Sequence, residues 1–316
     1  MLVTIALALI PATLCAQSVE QEVRVMTPQG VNLYGSLLLP SLDSEESFPV
    51  ALLIAGSGPT DRNGNSRFMV NNSLKMVAEG LCEKGIASLR YDKRGVGASY
   101  DSGMTEQEII LSTFADDVAL WVEYLSEQEN FVDITLVGHS EGAVLALMAM
   151  VDDDVKESVE RVVLLAGAGR TSDILMREQL ENQPEHIRDV SSAIIDSLKA
   201  GKYYDDVPLM LTNFFRPSIQ NFLIESMEVD PCVLISELQV PVLIVQGTTD
   251  IQLKPLDAES LHRANRDSKL LFIGEMNHIL KRCATMERDN QMLVYSTPNL
   301  PLSEGLIPAL CEFINE

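Results

Sequence analysis

The chain has 316 residues, 46% of them hydrophobic, so it can bury a full-sized core and is neither a disordered chain nor a small disulfide-stapled scaffold. Acidic side chains outnumber basic ones by 46 to 23, and the formal charge of −23 speaks against a nucleic-acid groove, a polybasic membrane patch or a large polyanionic substrate. Glycine and proline counts of 18 and 14 exclude collagen-like and low-complexity chains, and an aromatic content of 5% weakens any aromatic carbohydrate cleft.

Residues 1–16, MLVTIALALIPATLCA, form an uncharged apolar run that ends in small residues. The run is too short to span a bilayer comfortably and reads as a secretory signal cleaved after Ala16, although no Lys or Arg follows Met1 and Leu14 is bulky for a cleavage site. The expectation is a periplasmic or secreted protein without a stable membrane span, or a cytoplasmic one if the segment is not a signal. Ala12-Thr13-Leu14 ahead of Cys15 does not match the lipid-anchor pattern. The remaining Cys82, Cys232, Cys283 and Cys311 permit two disulfides in three connectivities, or stay as small buried thiols; no CxxC or Cys/His cluster suggests a metal.

Alternation at Val23, Val25, Val31, Leu33, Leu37 and Leu39 around Thr27-Pro28-Gln29-Gly30 predicts a hairpin. PVALLIAG (49–56) is a near-continuous apolar run, the mark of a strand covered on both faces. Leu74, Val77, Ala78 and Leu81 follow at helical spacing with Gly85 as the stop, and residues 86–91 form the next strand. A second helix carries Phe114, Val118, Trp121, Val122 and Leu125. Strand 134–137 then runs into Gly138-His139-Ser140-Glu141-Gly142 and a helix. Three more short apolar strands lie at 161–165, 241–245 and 269–273.

This rhythm predicts an α/β protein with a mostly parallel central sheet flanked by helices. It breaks between residues 168 and 238, where helical fragments are punctuated by Pro184, Pro208, Pro217 and Pro231. That stretch reads as a helical cap inserted into a core made of residues 17–167 and 239–316.

Gly138-His139-Ser140-Glu141-Gly142 is a G-x-S-x-G pattern between a buried strand and a helix, where a strained turn exposes a nucleophilic serine. A serine that merely caps the helix would explain Ser140 but not both glycines. The hydroxyl needs a base and the base an orienting acid, in the chain order Ser, Asp, His. Of the four histidines, His278 follows a core strand through Gly274-Glu275-Met276-Asn277; His139 lies inside the elbow, and His186 and His262 read as surface residues. Asp250 ends the strand and turn VLIVQGTTD and is the candidate acid. For the oxyanion, the backbone N–H of Glu141 and that of Ser57, in the glycine-bearing loop 56–65, are the candidate donors. The loop matches no phosphate-binding motif, and no cofactor or metal is expected.

The chain resembles the α/β-hydrolases, and more narrowly the bacterial esterases related to the serine aminopeptidase-like group. GSGPTDRNGN is similar to their oxyanion loop, LRYDKRGVGAS to the next strand and turn, GHSEG to the elbow, VLIVQGTTD to the acid loop and GEMNH to the histidine loop. The resemblance implies Ser140, Asp250 and His278 as the triad, Ser57 and Glu141 as oxyanion donors, and structural roles for Asp92 and Arg94, which are expected to satisfy each other or nearby backbone, with Asp61 and Arg62 bracing the oxyanion loop. The expected activity is hydrolysis of carboxylic esters of small or medium acyl groups through an acyl-serine, the partner being a small-molecule acyl ester. A serine aminopeptidase, an acyl thioesterase and a non-catalytic ligand-binding module are the alternatives. An aminopeptidase would hold the substrate amine with carboxylates such as Glu141, Glu275, Asp61 or Glu225. Phe214, Phe215, Phe222, Leu211, Ile219 and Met227 of the cap either face the acyl pocket or fill the cap's own core. Oligomeric state, disulfide pairing and acyl length stay open.

Overall fold

The computed structural model describes residues 18–40 and 47–316; residues 1–16, read above as a secretory signal, and Cys15 among them lie outside the described residues. The strands are β1 (Val19–Met26), β2 (Asn32–Leu39), β3 (Phe48–Ile54), β4 (Ala87–Tyr91), β5 (Phe131–His139), β6 (Val159–Leu165), β7 (Val242–Gly247) and β8 (Lys269–Ile273). They form one sheet in the order β1-β2-β4-β3-β5-β6-β7-β8. The β1–β2 hairpin and the β2–β4 pair are antiparallel, and β4 through β8 are parallel. Hairpin and strands lie where the alternation and the apolar runs predict them.

The central strands are apolar without a break because each faces two cores. Val50, Leu52 and Ile54 of β3, Val162 and Leu164 of β6, and Val242 and Ile244 of β7 point into one core. Their neighbours Ala51, Leu53, Val163, Leu165, Leu243 and Val245 point into the other. Each such side chain contributes about 1.5–3 kcal/mol of burial. On the first face lie α2 (Leu111–Ser126), α3 (Glu141–Ala149), α4 (Asp153–Ser158) and α10 (Pro255–Ala264); α1 (Ser73–Cys82) and α12 (Leu306–Ile314) cover the second. Both faces being covered explains why continuous apolarity, rather than alternation, marks these strands.

Between β6 and β7 lie α5 (Ser172–Leu180), α6 (Glu185–Lys199), α7 (Thr212–Phe215), α8 (Gln220–Glu228) and α9 (Pro231–Ser236). The four prolines stand where helices begin: Pro184 and Pro208 just before a helical turn, Pro217 and Pro231 at the first position of one. The cap has a core of its own around Ile194, Ile195, Leu198, Leu211, Phe215 and Met227. Ile235 of α9 packs instead into the main core. Val229, Cys232 and Leu234 pack against that core as well, and charge and an aromatic contact add to the seam. Arg170 pairs with Asp257 (2.7 Å), Arg216 and Ser218 bond Glu106, and Phe222 meets Phe114 edge-on at 6.1 Å.

All four described cysteines are free thiols: Cys82 and Cys283 are buried, Cys232 and Cys311 half-buried. Among the described residues no helix is long and apolar enough to cross a membrane.

The tightest junction is the start of α3 against β3. A Cβ on Gly142 would lie 2.2 Å from the Ile54 carbonyl oxygen and 2.8 Å from that of Ala55, backbone atoms at the end of the central strand β3 and just after it. Gly142→Ala is expected to cost about 3 kcal/mol or more by forcing helix and sheet apart. Urea denaturation checks this; a loss under about 1 kcal/mol would show that the junction yields.

Candidate active site

Parallel strands in register bring their carboxyl ends to one edge. Ile54 pairs with Gly138, His139 with Leu165, and Gly247 with Ile273. The loops leaving β3, β5, β7 and β8 therefore open side by side, and they carry Ser57, Ser140, Asp250 and His278.

Ser140 has φ 56 and ψ −119, a conformation that costs a non-glycine residue on the order of 1–3 kcal/mol. Its amide N–H bonds the Leu165 carbonyl oxygen at 2.9 Å, and the side chain makes no capping bond to α3. The half-buried hydroxyl is thus not used to satisfy the helix. The strain is held by close packing: a Cβ on Gly138 would lie 2.2 Å from the Gly142 carbonyl oxygen.

His278 and Asp250 are both buried, with His278 Nδ1 2.8 Å from Asp250 Oδ2. The ring N–H donates to the carboxylate, which leaves Nε2 as an acceptor. Asp250 also accepts from the Gln252 amide (2.7 Å), the Leu253 amide (3.0 Å) and Gln246 Nε2 (3.2 Å). Burial works to raise the Asp250 carboxyl, but its interaction with His278 and the Leu253 and Gln252 amides outweighs this and holds the group below its ordinary range. Among the described residues no hydrogen bond joins Ser140 Oγ to His278, a contact that commonly tightens only when substrate is bound.

The acid and histidine loops are stitched to each other. The Thr249 amide and hydroxyl donate to the Met276 carbonyl oxygen at 3.1 and 3.0 Å, and a Cβ on Gly247 would lie 2.0 Å from that same oxygen. Gln291, on α11 (Arg288–Tyr295), accepts from Asn277 and donates to the Thr249 carbonyl. Nothing in the local sequence marks Gln291, since its partners are reached only through the tertiary fold.

His139 is the second unread contributor. Its Nε2 lies 2.7 Å from the His278 carbonyl oxygen, and since a carbonyl only accepts, Nε2 carries the proton. The two rings stand 5.0 Å apart. His139 thus braces the histidine loop as well as the elbow. His186 is exposed and His262, half-buried, bonds Ser268, in keeping with their placement outside the site.

The oxyanion loop passes against the nucleophile: a Cβ on Gly56 would lie 3.1 Å from Ser140 Cβ. Among the described residues neither Ser57 N–H nor Glu141 N–H has a hydrogen-bond partner. Asp61 Oδ1 accepts from the Asn63 and Asn65 amides, which folds the loop on itself. Arg62 clamps it by two bonds to Asp92 Oδ2, with its own amide on Asp92 Oδ1. Arg94 pairs with Asp117 (2.7 Å), so Asp92 and Arg94 serve different partners rather than each other.

Two surface clefts, one within the cap beside Arg177 and Ile195 and one beside Arg170 and Cys232, include no residue of this cluster. Among the described residues no group of three or more His, Cys, Asp or Glu is placed to hold a metal ion.

Residues 71–281 match the family described as Serine aminopeptidase, S33. The chain belongs to this family of α/β-hydrolases. It is 25% identical over 261 residues to Esterase EstD of Thermotoga maritima, a match that covers 78% of this chain and 58% of that protein, so the chain spans little more than half of its relative's length. Its fold is similar to that of Est1E from Butyrivibrio proteoclasticus, solved with ferulic acid bound (TM-score 0.60, 16% identity, 92% of this chain and 96% of that one). It is also similar to the hypothetical protein PA2218 from Pseudomonas aeruginosa (TM-score 0.63, 13% identity, 99% of both chains). These likenesses show an α/β-hydrolase fold with a mixed, mostly parallel sheet and a helical insertion.

Burial, and then the nearby His278, lowers the His139 pKa from 6.5 to about 4. The unfolded chain therefore binds the extra proton between pH 6.5 and 4, and the stability that neutral His139 contributes, roughly 3 kcal/mol, is present above pH 6.5 and lost as pH falls towards 4. His139→Gln is expected to flatten that acid limb. Unfolding free energies by urea titration at pH 7, 6, 5 and 4 test it; parallel curves for variant and wild type would refute it.

Proposed function

We propose that the chain is a serine hydrolase that cleaves carboxylic esters of small or medium acyl groups through an acyl-serine intermediate. The observation that carries this reading is that one sheet edge holds a His278–Asp250 pair in the base tautomer together with a Ser140 hydroxyl and two backbone donors that have no partner among the described residues. Ser140 Oγ attacks the acyl carbon while its proton passes to His278 Nε2. The carbonyl oxygen gains the charge and is held by the N–H groups of Ser57 and Glu141. The imidazolium, steadied by Asp250, then protonates the leaving alcohol. Water, losing its proton to His278, attacks the acyl-serine and frees the acid and Ser140.

The environment of the candidate amine-binding carboxylates favours an ester over an aminoacyl substrate. Glu141 is paired with Lys93, Glu275 with Arg282, Asp61 with the amides of its own loop, and Glu225 with the Ser112 amide at the start of α2. Each of these carboxylates already carries a cation or amide partner, which lowers its pull on a substrate ammonium group. The cap aromatics speak less directly. Leu211, Phe215 and Met227 are buried in the cap's own core, Ile219 and Phe222 pack against it, and Phe214 alone is well exposed. Export belongs to the same reading: the isolated protein is expected to begin at Gln17, which N-terminal sequencing checks.

p-Nitrophenyl acetate, butyrate, octanoate and palmitate are the substrates to assay, beside an aminoacyl p-nitroanilide. We expect butyrate turnover that disappears in Ser140→Ala and falls on the order of 10³–10⁴-fold in kcat in Asp250→Asn, with little change in thermal stability. Anilide cleavage exceeding that of every ester would move the assignment to a peptidase.

A further inference from the structure

Lys93 follows β4 and is 1% exposed, an ammonium group inside the protein. Its Nζ donates to the Gly56 carbonyl oxygen at 2.5 Å and to Glu141 Oε1 at 3.2 Å, and it stands 5.1 Å over the Phe114 ring. The first two partners have a common feature. The Gly56 carbonyl belongs to the peptide whose N–H is Ser57, and Glu141 is the residue whose N–H is the other candidate donor. One buried cation is therefore bonded to the peptide of one candidate donor and to the side chain of the residue that carries the other.

We propose that Lys93 is a positioning residue that tunes the oxyanion hole through the Gly56–Ser57 peptide. There is no cis peptide bond among the described residues, so the Ser57 N–H points opposite to the Gly56 C=O. Fixing the carbonyl on Lys93 fixes the direction of the N–H. A cation on the carbonyl oxygen also draws electron density from the amide nitrogen, which makes its N–H a stronger donor, an effect enhanced where water is excluded. The pull matters most when the substrate oxygen is fully charged, so it favours the tetrahedral intermediate over bound ester. Glu141 anchors the other side of the ammonium and ties the loop after β3 to the first turn of α3. The Phe114 ring that covers Lys93 also meets Phe222 of the cap, so cap docking and oxyanion geometry have one side chain in common.

This inference rests on the esterase reading, and its test keeps the two apart. Lys93→Met, one atom shorter, keeps an apolar stem against Phe114 while removing charge and donor; Lys93→Gln, of the same length as Met, removes the charge but keeps a donor and runs in parallel in case the first variant does not fold. A fluorophosphonate end-point counts competent Ser140 sites, and turnover is expressed per site, so partial unfolding is not counted as lost catalysis. For p-nitrophenyl butyrate we expect kcat per site to fall about 10–100-fold with KM within about twofold, below the 10²–10³ that deleting a whole donor costs. The affinity for an alkyl boronic acid, whose adduct with serine carries the tetrahedral charge, should weaken by the same factor as kcat. Turnover per site within twofold of wild type, a loss confined to KM, or unchanged boronic acid affinity would overturn the proposal. If no ester is cleaved by the wild type, the esterase reading fails separately, and the rate of Ser140 phosphonylation, which needs the hole but no ester, still decides: an equal rate in wild type and variant overturns the role of Lys93.

Discussion

The chain must turn from β5 into α3 within one residue, and that constraint organises the rest of the molecule. Ser140 absorbs the turn at φ 56, and the crossing is so tight that glycines at 138 and 142 leave no room even for a methyl group. Gly142 sits on the carbonyls at the end of β3 and just after it, so the elbow is held by the central strand and not by its own local preferences. The same closeness puts Gly56, the second residue after β3, against Ser140. Nucleophile and oxyanion loop are neighbours because strand, helix and loop are packed with no intervening side chain.

Around this junction lies an unusual amount of buried charge. Asp92, Lys93 and Arg94 are consecutive and all buried, and each has a different partner. Asp92 takes Arg62 from the oxyanion loop, Lys93 takes the Gly56 carbonyl and Glu141, and Arg94 takes Asp117 on α2. Buried ion pairs contribute little net stability, since desolvation offsets most of the attraction, but removing one partner alone is strongly destabilising. Their effect here is specificity of arrangement: a loop rich in glycine and asparagine is held in place through Arg62 on Asp92 and the Gly56 carbonyl on Lys93. The same logic binds the cap, whose Glu225 caps the first turn of α2 across 113 residues of sequence.

The cap shows where pattern reading reaches its limit. Helical fragments and prolines located its helices, yet the periodicity of an aromatic or Leu residue is the same whether it faces a substrate or another helix of the cap. Phe215, fully buried, and Phe214, half exposed, are adjacent in sequence and differ only in what α7 packs against. α11 and α12 were not anticipated at all, and Gln291 on α11 joins the acid and histidine loops.

What the sequence by itself determined is everything that depends on local spacing. Apolar runs marked the strands, glycines at 138 and 142 marked the elbow, and position after a core strand singled out Asp250 and His278, which the fold brings to 2.8 Å. The tertiary structure alone decided the contacts that act on those groups from behind. His139 bonds the carbonyl of His278, 139 residues away, and Lys93 bonds the carbonyl of Gly56, 37 residues away. Every residue has a backbone carbonyl, so no sequence pattern distinguishes the one that a buried histidine or lysine will meet; only the packing of strand ends against each other makes that choice.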